Sequence, residues 1–191
     1  MISIKKTALK AAMICTAIKD LRYYLNCVLF RVTESGGIYL SATDGHRLFL
    51  GKVEPLWTDT PQQGPFDILI PSDAVKTALQ GCGKYPHIKL ASSPDGRYIL
   101  GDTLFTPVDG KFPDISRVIP TETSGVAGEF NWEYVSDAQK CLRLWDDHKN
   151  NLYSLKLSGE SSAYMATEGA FVVIMPVHSG KVIQETTFKP I

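Results

Sequence analysis

A five-residue word occurs twice in this 191-residue chain: Ser72-Asp73-Ala74-Val75-Lys76 returns 64 residues later as Ser136-Asp137-Ala138-Gln139-Lys140. Such a repeat constrains a fold more than composition does, because each copy must be the same supersecondary unit. Each copy follows a strand-like stretch, 66–70 and 128–132. Each also leads into apolar residues at helical spacing: Ala74, Ala78 and Leu79 in one, and Val135, Ala138, Leu142 and Trp145 in the other. A further step back reaches Thr7-Ala8-Leu9-Lys10-Ala11-Ala12, which again opens a helix after a strand, 2–5. Thr7 and Ser72 are expected as N-caps, their hydroxyls accepting the unpaired amides of the first turn.

After each helix the apolar period drops from 3.6 to 2, the mark of strands. The stretches are 27–33, 37–42 and 46–53; then 87–92, 97–100 and 104–108; then 152–157, 162–166 and 171–176. Turn signals at Ser35-Gly36-Gly37, Asp44-Gly45 and Pro94-Asp95-Gly96 separate them. The expected architecture is therefore α+β, three β-α-β-β-β units with the helices on one side of antiparallel sheets. One unit cannot close a core, but two can pair. Residues 1–120 would form a complete two-unit domain, and 121–191 a half domain with a C-terminal tail. The third unit has no partner in sequence, and its bare helix face and strand edges predict a homo-oligomer.

Charge supports a polyanion-facing segment. Lys5, Lys6, Lys10, Lys19, Arg22 and Arg31 stand against Asp20 alone in residues 1–31, a balance of +5, so in a chain of 20 basic and 20 acidic side chains the remaining 160 residues carry −5. A solvated helix face gives the same pattern. No apolar run approaches the ~20 residues of a membrane span, and the Met-Ile-Ser-Ile-Lys-Lys start lacks a long apolar core. The expectation is a cytoplasmic protein. Cys15, Cys27, Cys82 and Cys141 are scattered, as are His46, His87, His148 and His178, so buried or idle thiols are expected and no metal or cofactor. Asp44 and His46 have no nucleophile at useful spacing, and Gly81-Cys82-Gly83-Lys84 is not a phosphate loop. No enzyme is indicated.

Four segments carry a resemblance to a known family. They are Asp20-Leu21-Arg22-Tyr23-Tyr24-Leu25-Asn26-Cys27-Val28-Leu29-Phe30; Ala42-Thr43-Asp44-Gly45-His46-Arg47-Leu48; Val108-Asp109-Gly110-Lys111-Phe112-Pro113-Asp114 with Arg117-Val118-Ile119-Pro120; and Ala170-Phe171-Val172-Val173-Ile174-Met175-Pro176-Val177. In this order they resemble the bacterial sliding clamp, the beta subunit of DNA polymerase III. Residues 1–120 resemble its middle domain, and about 125–177 the second half of its third domain. The first domain and the opening half of the third have no counterpart here. The resemblance implies a DNA-clamp fold. Clamps close rings of twelve such units, and three units per chain would need four chains.

The resemblance also implies two surfaces. A pocket for partner peptides would comprise Leu25, Thr43, Gly45, His46, Arg47 and Leu48, then Pro113, Arg117 and Val118, and finally Ser162, Val173, Ile174, Met175, Pro176 and Val177. Its apolar floor would take a short Leu/Phe-bearing motif, while Arg47 and Arg117 could fix the peptide backbone or an acidic residue. Val177 replaces a usual Met, and His178 follows where Arg is common. Read from the residues alone, Asp44-Gly45 is a tight turn and Val173–Met175 a core strand. Double-stranded DNA would be met without sequence reading by Lys5, Lys6, Lys10, Lys19 and Arg22, by Tyr23 and Tyr24, and by Lys76, Lys140 and Arg143 on the later helices. The expected function is a replication or repair processivity scaffold that binds short linear motifs of polymerase or repair proteins and, as a closed ring, would encircle duplex DNA. The alternative is a non-ring decoy that competes with a full-length clamp for its clients.

Overall fold

The computed structural model describes residues 1–54, 56–57, 64–149 and 152–177; His178 lies outside them. The first unit runs β1 (Ile2–Lys5), α1 (Lys6–Ile14), β2 (Cys27–Val32), β3 (Ile38–Thr43) and β4 (Arg47–Val53). A short β5 (Leu56–Trp57) links it to the second, β6 (Phe66–Pro71), α2 (Ser72–Gly81), β7 (His87–Ser92), β8 (Tyr98–Leu100) and β9 (Thr103–Phe105). Both have the expected β-α-β-β-β order.

The third unit is less than that. It consists of α3 (Trp132–Trp145) and the hairpin β10 (Ala163–Thr167) with β11 (Ala170–Ile174). The expected strand 128–132 is absent because the helix starts at Trp132, capped by the Asn131 carboxamide oxygen, which accepts from the Glu133 amide at 2.9 Å. Gly125 and Gly159 instead make single backbone bonds to Leu157 and Val126, too few for a ladder. The expected strand 152–157 is reduced to one bridge, Lys156 opposite Tyr164. The repeated pentapeptide opens α2, whereas in α3 it starts at the fifth helical residue.

Nor do Thr7 and Ser72 cap their helices. Lys5 and Pro71 hold the cap positions, with no side-chain cap bond, and the Thr7 hydroxyl donates to Asp147 Oδ1 at 2.9 Å.

Two antiparallel sheets form, in the orders β5-β1-β7-β8-β9 and β10-β11-β4-β3-β2-β6. Each unit's first strand is exchanged: β1 pairs with β7 and β6 with β2. The third unit joins through β11, which lies beside β4 with Val173 opposite Leu48 and Ala170 opposite Gly51. The helices lie on the inner side, α1 between α2 and α3. Helix α1 buries Ala8, Leu9, Ala11 and Ala12, and its small side chains let neighbours approach on both flanks. Helix α3 buries Val135, Ala138, Cys141 and Leu142, at the spacing of one helical face. At the α1–α3 seam the Cys15 and Cys141 sulfurs are 3.7 Å apart, both fully buried. The third unit's apolar helix face, expected to be bare, is therefore covered within the chain and needs no second copy to bury it. Strand edges remain, since β9 pairs on one side only. Among the described residues no helix is long and apolar enough to cross a membrane.

Candidate peptide-binding site

β2 is covered on both faces. Val28, Phe30 and Val32 point into the main core, while Cys27 and Leu29 join Leu69 and Phe112 in a second cluster. That second cluster anchors the chain after β9 as it crosses the outer face of the six-stranded sheet. The Val108 amide donates to the Leu69 carbonyl at 3.0 Å, and Phe112 is buried. Burial in this cluster pushes the Cys27 thiol up to about 11.

The crossing segment ends as a 3₁₀ turn, Ile115–Arg117, capped by Asp114. It meets the β3–β4 turn and the end of β11 around a cavity of about 200 Å³. The cavity is lined by Arg22, Tyr24, Leu25, Thr43, Gly45, Arg47 and Leu48 from the first unit, by Pro113, Asp114, Ile115 and Val118 from the crossing segment, and by Val173 and Met175 from the third.

The β3–β4 turn is fixed by its own side chains. Asp44 Oδ1 accepts from the His46 and Arg47 amides at 2.9 and 3.0 Å, and the Thr43 hydroxyl donates to the Arg47 carbonyl at 2.8 Å. Gly45 has φ +93°, a backbone conformation that favours glycine, and it faces the Arg22 guanidinium. Arg22 is held by Asp20 through two side-chain bonds, 3.0 and 2.8 Å. That pairing holds the Asp20 carboxyl down to about 2. Asp114 is likewise held below the usual range, chiefly by the Ser116 hydroxyl and amide.

Of the residues expected in the pocket, Leu25, Thr43, Gly45, Arg47, Leu48, Pro113, Val118, Val173 and Met175 meet in this cavity. His46 is exposed beside it, stacked on Tyr134 with centroids 5.7 Å apart, and its carbonyl accepts from the Met175 amide at 2.8 Å. Ser162 stands behind the wall, donating to the Val118 carbonyl at 3.1 Å. Ile174 points into the main core and is fully buried. Pro176 and Val177 follow the strand end, with the Val177 amide bonded to the Glu129 carbonyl at 2.8 Å. Arg117 is outside the lining, exposed and 3.5 Å from Asp114. Arg22 and Tyr24, expected at DNA, also line the cavity. Asp114, in the same matched segment as Pro113, and Ile115, in the gap just after it, were missed as lining.

The basic side chains expected at DNA are spread over the helices. Lys10, Lys76, Lys140 and Arg143 are exposed on α1, α2 and α3, and Lys19 lies in the loop after α1. Several are already paired. Lys5 is 3.2 Å from Asp147, Lys76 is 3.3 Å from Asp73, Lys140 is 2.7 Å from Asp137, and Lys6 donates to the Gly83 carbonyl at 2.7 Å. Beside Lys19 and Arg22 the same loop exposes Leu21, at 99%, and Tyr23.

No family model matches the sequence. The chain is 36% identical over 120 residues to the beta sliding clamp of Salmonella typhimurium, and 34% identical over 120 residues to that of Escherichia coli K12. Each match covers 60% of this chain but 31% of the relative, so the matched stretch is about a third of those proteins' length. In fold the chain is similar to the DNA polymerase sliding clamp from Bacillus subtilis, with TM-score 0.74 at 15% identity, covering 93% of this chain and 64% of that one. With its two antiparallel sheets and three helices, the chain has the DNA-clamp fold, and over 120 residues its sequence is similar to the bacterial beta sliding clamps.

Proposed function

We propose that the protein is a non-enzymatic, sliding-clamp-like scaffold for DNA replication or repair, which captures short linear motifs of polymerase or repair proteins in the cavity between its first and third units. The observation that carries this reading is convergence. Four segments separated in sequence, each matching the clamp pattern, build one apolar wall of Leu25, Leu48, Pro113, Val118, Val173 and Met175. Such a wall suits a Leu- or Phe-bearing motif, and Met175 adds adaptability. Residues 1–120 act as a complete clamp-like domain and 121–191 as half of one. Lys10, Lys19, Lys76 and Arg143 contact duplex DNA through phosphates alone, with several chains together surrounding it.

A fluorescent Leu/Phe-bearing peptide tests the cavity by polarisation. Met175→Ala with Pro176→Ala should weaken binding by about tenfold, and unchanged affinity would remove the cavity from the function. Lys10→Glu with Lys19→Glu tests the DNA surface, since losing phosphate contacts flattens the salt dependence. A salt slope equal to the parent's would take the first helix away from DNA. The second reading, a non-ring regulator that competes for a full-length clamp's clients, gains support from the third unit's burial within its own chain. It keeps the peptide result and loses the DNA result.

A further inference from the structure

Arg47 lines the cavity with its side chain only 14% exposed, and it is held from two sides. Its Nε donates to Asp44 Oδ2 at 3.0 Å, within the β3–β4 turn. Its Nη1 donates to Asp137 Oδ2, on α3 of the third unit. The guanidinium carbon lies 4.8 Å from the centre of the Tyr134 ring, also on α3. The other Asp137 oxygen accepts from Lys140 Nζ at 2.7 Å, which fixes the carboxylate's orientation. Burial works to raise the Asp137 pKa, but the bonds from Lys140 and Arg47 outweigh it and keep the carboxyl below its usual range.

An arginine with an open fork selects a carboxylate, because planar donors match planar acceptors. Here two carboxylates of the same chain already occupy the fork. A third, brought by a ligand, would meet two like charges across one guanidinium in a partly desolvated wall. The remaining charged lining has the same bias, since Arg22 is paired with Asp20 and Asp114 is itself acidic.

We propose that Asp137 is a specificity-determining residue of the cavity: as the second carboxylate on Arg47 it makes the guanidinium a neutralised strut rather than an anion receptor, so the cavity accepts uncharged apolar peptide side chains and excludes acidic ones. This inference rests on the reading of the cavity as a peptide site. It gives the third unit a second part in that site, beyond the wall supplied by β11.

The test compares a short Leu/Phe-bearing peptide carrying Gln at each non-anchor position in turn with its Gln→Glu counterpart. Both forms are titrated into the same protein preparation, so the affinity ratio is unaffected by the fraction of folded protein. The parent should prefer the Gln form by about tenfold at the position nearest Arg47. Asp137→Asn should shrink that ratio toward unity or invert it, whatever it does to overall affinity. Arg47→Gln leaves both carboxylates without the cation and should widen the ratio. A ratio unmoved in Asp137→Asn, with Met175→Ala and Pro176→Ala still weakening both peptides, overturns the specificity assignment alone. No binding of either peptide to the parent, or full affinity in the Met175 and Pro176 variants, overturns the cavity reading and this inference with it.

Discussion

A Cβ on Gly51 would stand 2.4 Å from Cζ3 of Trp145, and the indole Nε1 donates to the Glu168 carbonyl at 3.1 Å. The tryptophan thus lies flat on β4 where only a hydrogen leaves room, pinning the end of α3 to the sheet. Gly51→Ala should destabilise the fold by about 1–3 kcal/mol through overpacking. The thermal midpoint would fall by about 2–4 °C for each kcal/mol lost. A midpoint equal to the parent's would mean the ring does not pack there. Nothing in the sequence reading singled out Gly51, because strand periodicity records which face a residue takes and not how closely a helix approaches. The same limit governed the cavity. Alternation along β11 sends Val173 and Met175 to the cavity and Ile174 to the core, yet a motif names all three alike. Arg22 was expected at DNA as one of a cluster of basic side chains and Tyr24 by the resemblance, and neither signal showed that both also line the cavity, Arg22 facing Gly45.

At the level of elements, the two complete units were legible because helix and strand periods alternate cleanly through residues 1–108. The third was not, because its flanking stretches have strand-like composition without a ladder partner among the described residues. What holds the third unit is specific. Asp137 and Asp147 tie the third unit, through α3 and the turn just after it, to Arg47, Lys5 and Thr7 of the first unit, and both carboxyls are held below their usual range. A depressed folded pKa contributes stability that is present above the unfolded value of about 3.9 and lost as pH falls through the lower folded value. Urea midpoints should therefore match at about pH 7 and about pH 5 and drop below about pH 4. Removing both carboxylates, Asp137→Asn with Asp147→Asn, should lessen that drop; an equal drop would place the acid sensitivity elsewhere. The seam itself predicts thiol chemistry. Cys15 is buried, its pKa raised by the contact with Cys141 and by burial, whereas Cys82 is half-exposed. An aromatic disulfide reagent should label Cys82 promptly and reach Cys15 and Cys141 only in denaturant. Rapid labelling of either seam thiol would mean that α1 and α3 separate in the native state.

For the whole molecule, the open question of assembly moves from helix faces to sheet edges. β9 ends one sheet with an unpaired side, and Leu104 on it is exposed. Light scattering across a concentration series tests the two readings: a mass of four chains would fit a closed ring of twelve clamp-like units. A stable monomer would exclude that ring and favour the competing regulator.

The six-stranded sheet also sets an order of events during synthesis. Ala170 must find Gly51 across most of the chain, a long-range pairing that slows folding. At translation rates of about 5–20 residues per second, β4 waits roughly 6–24 s for β11 to be made. Until then the edge of β4 is a free template for other strands, which makes the nascent protein a natural client for chaperones. A product stopped before β11 would keep both complete units and lack the side of the cavity that Val173 and Met175 supply, so the cavity is completed last.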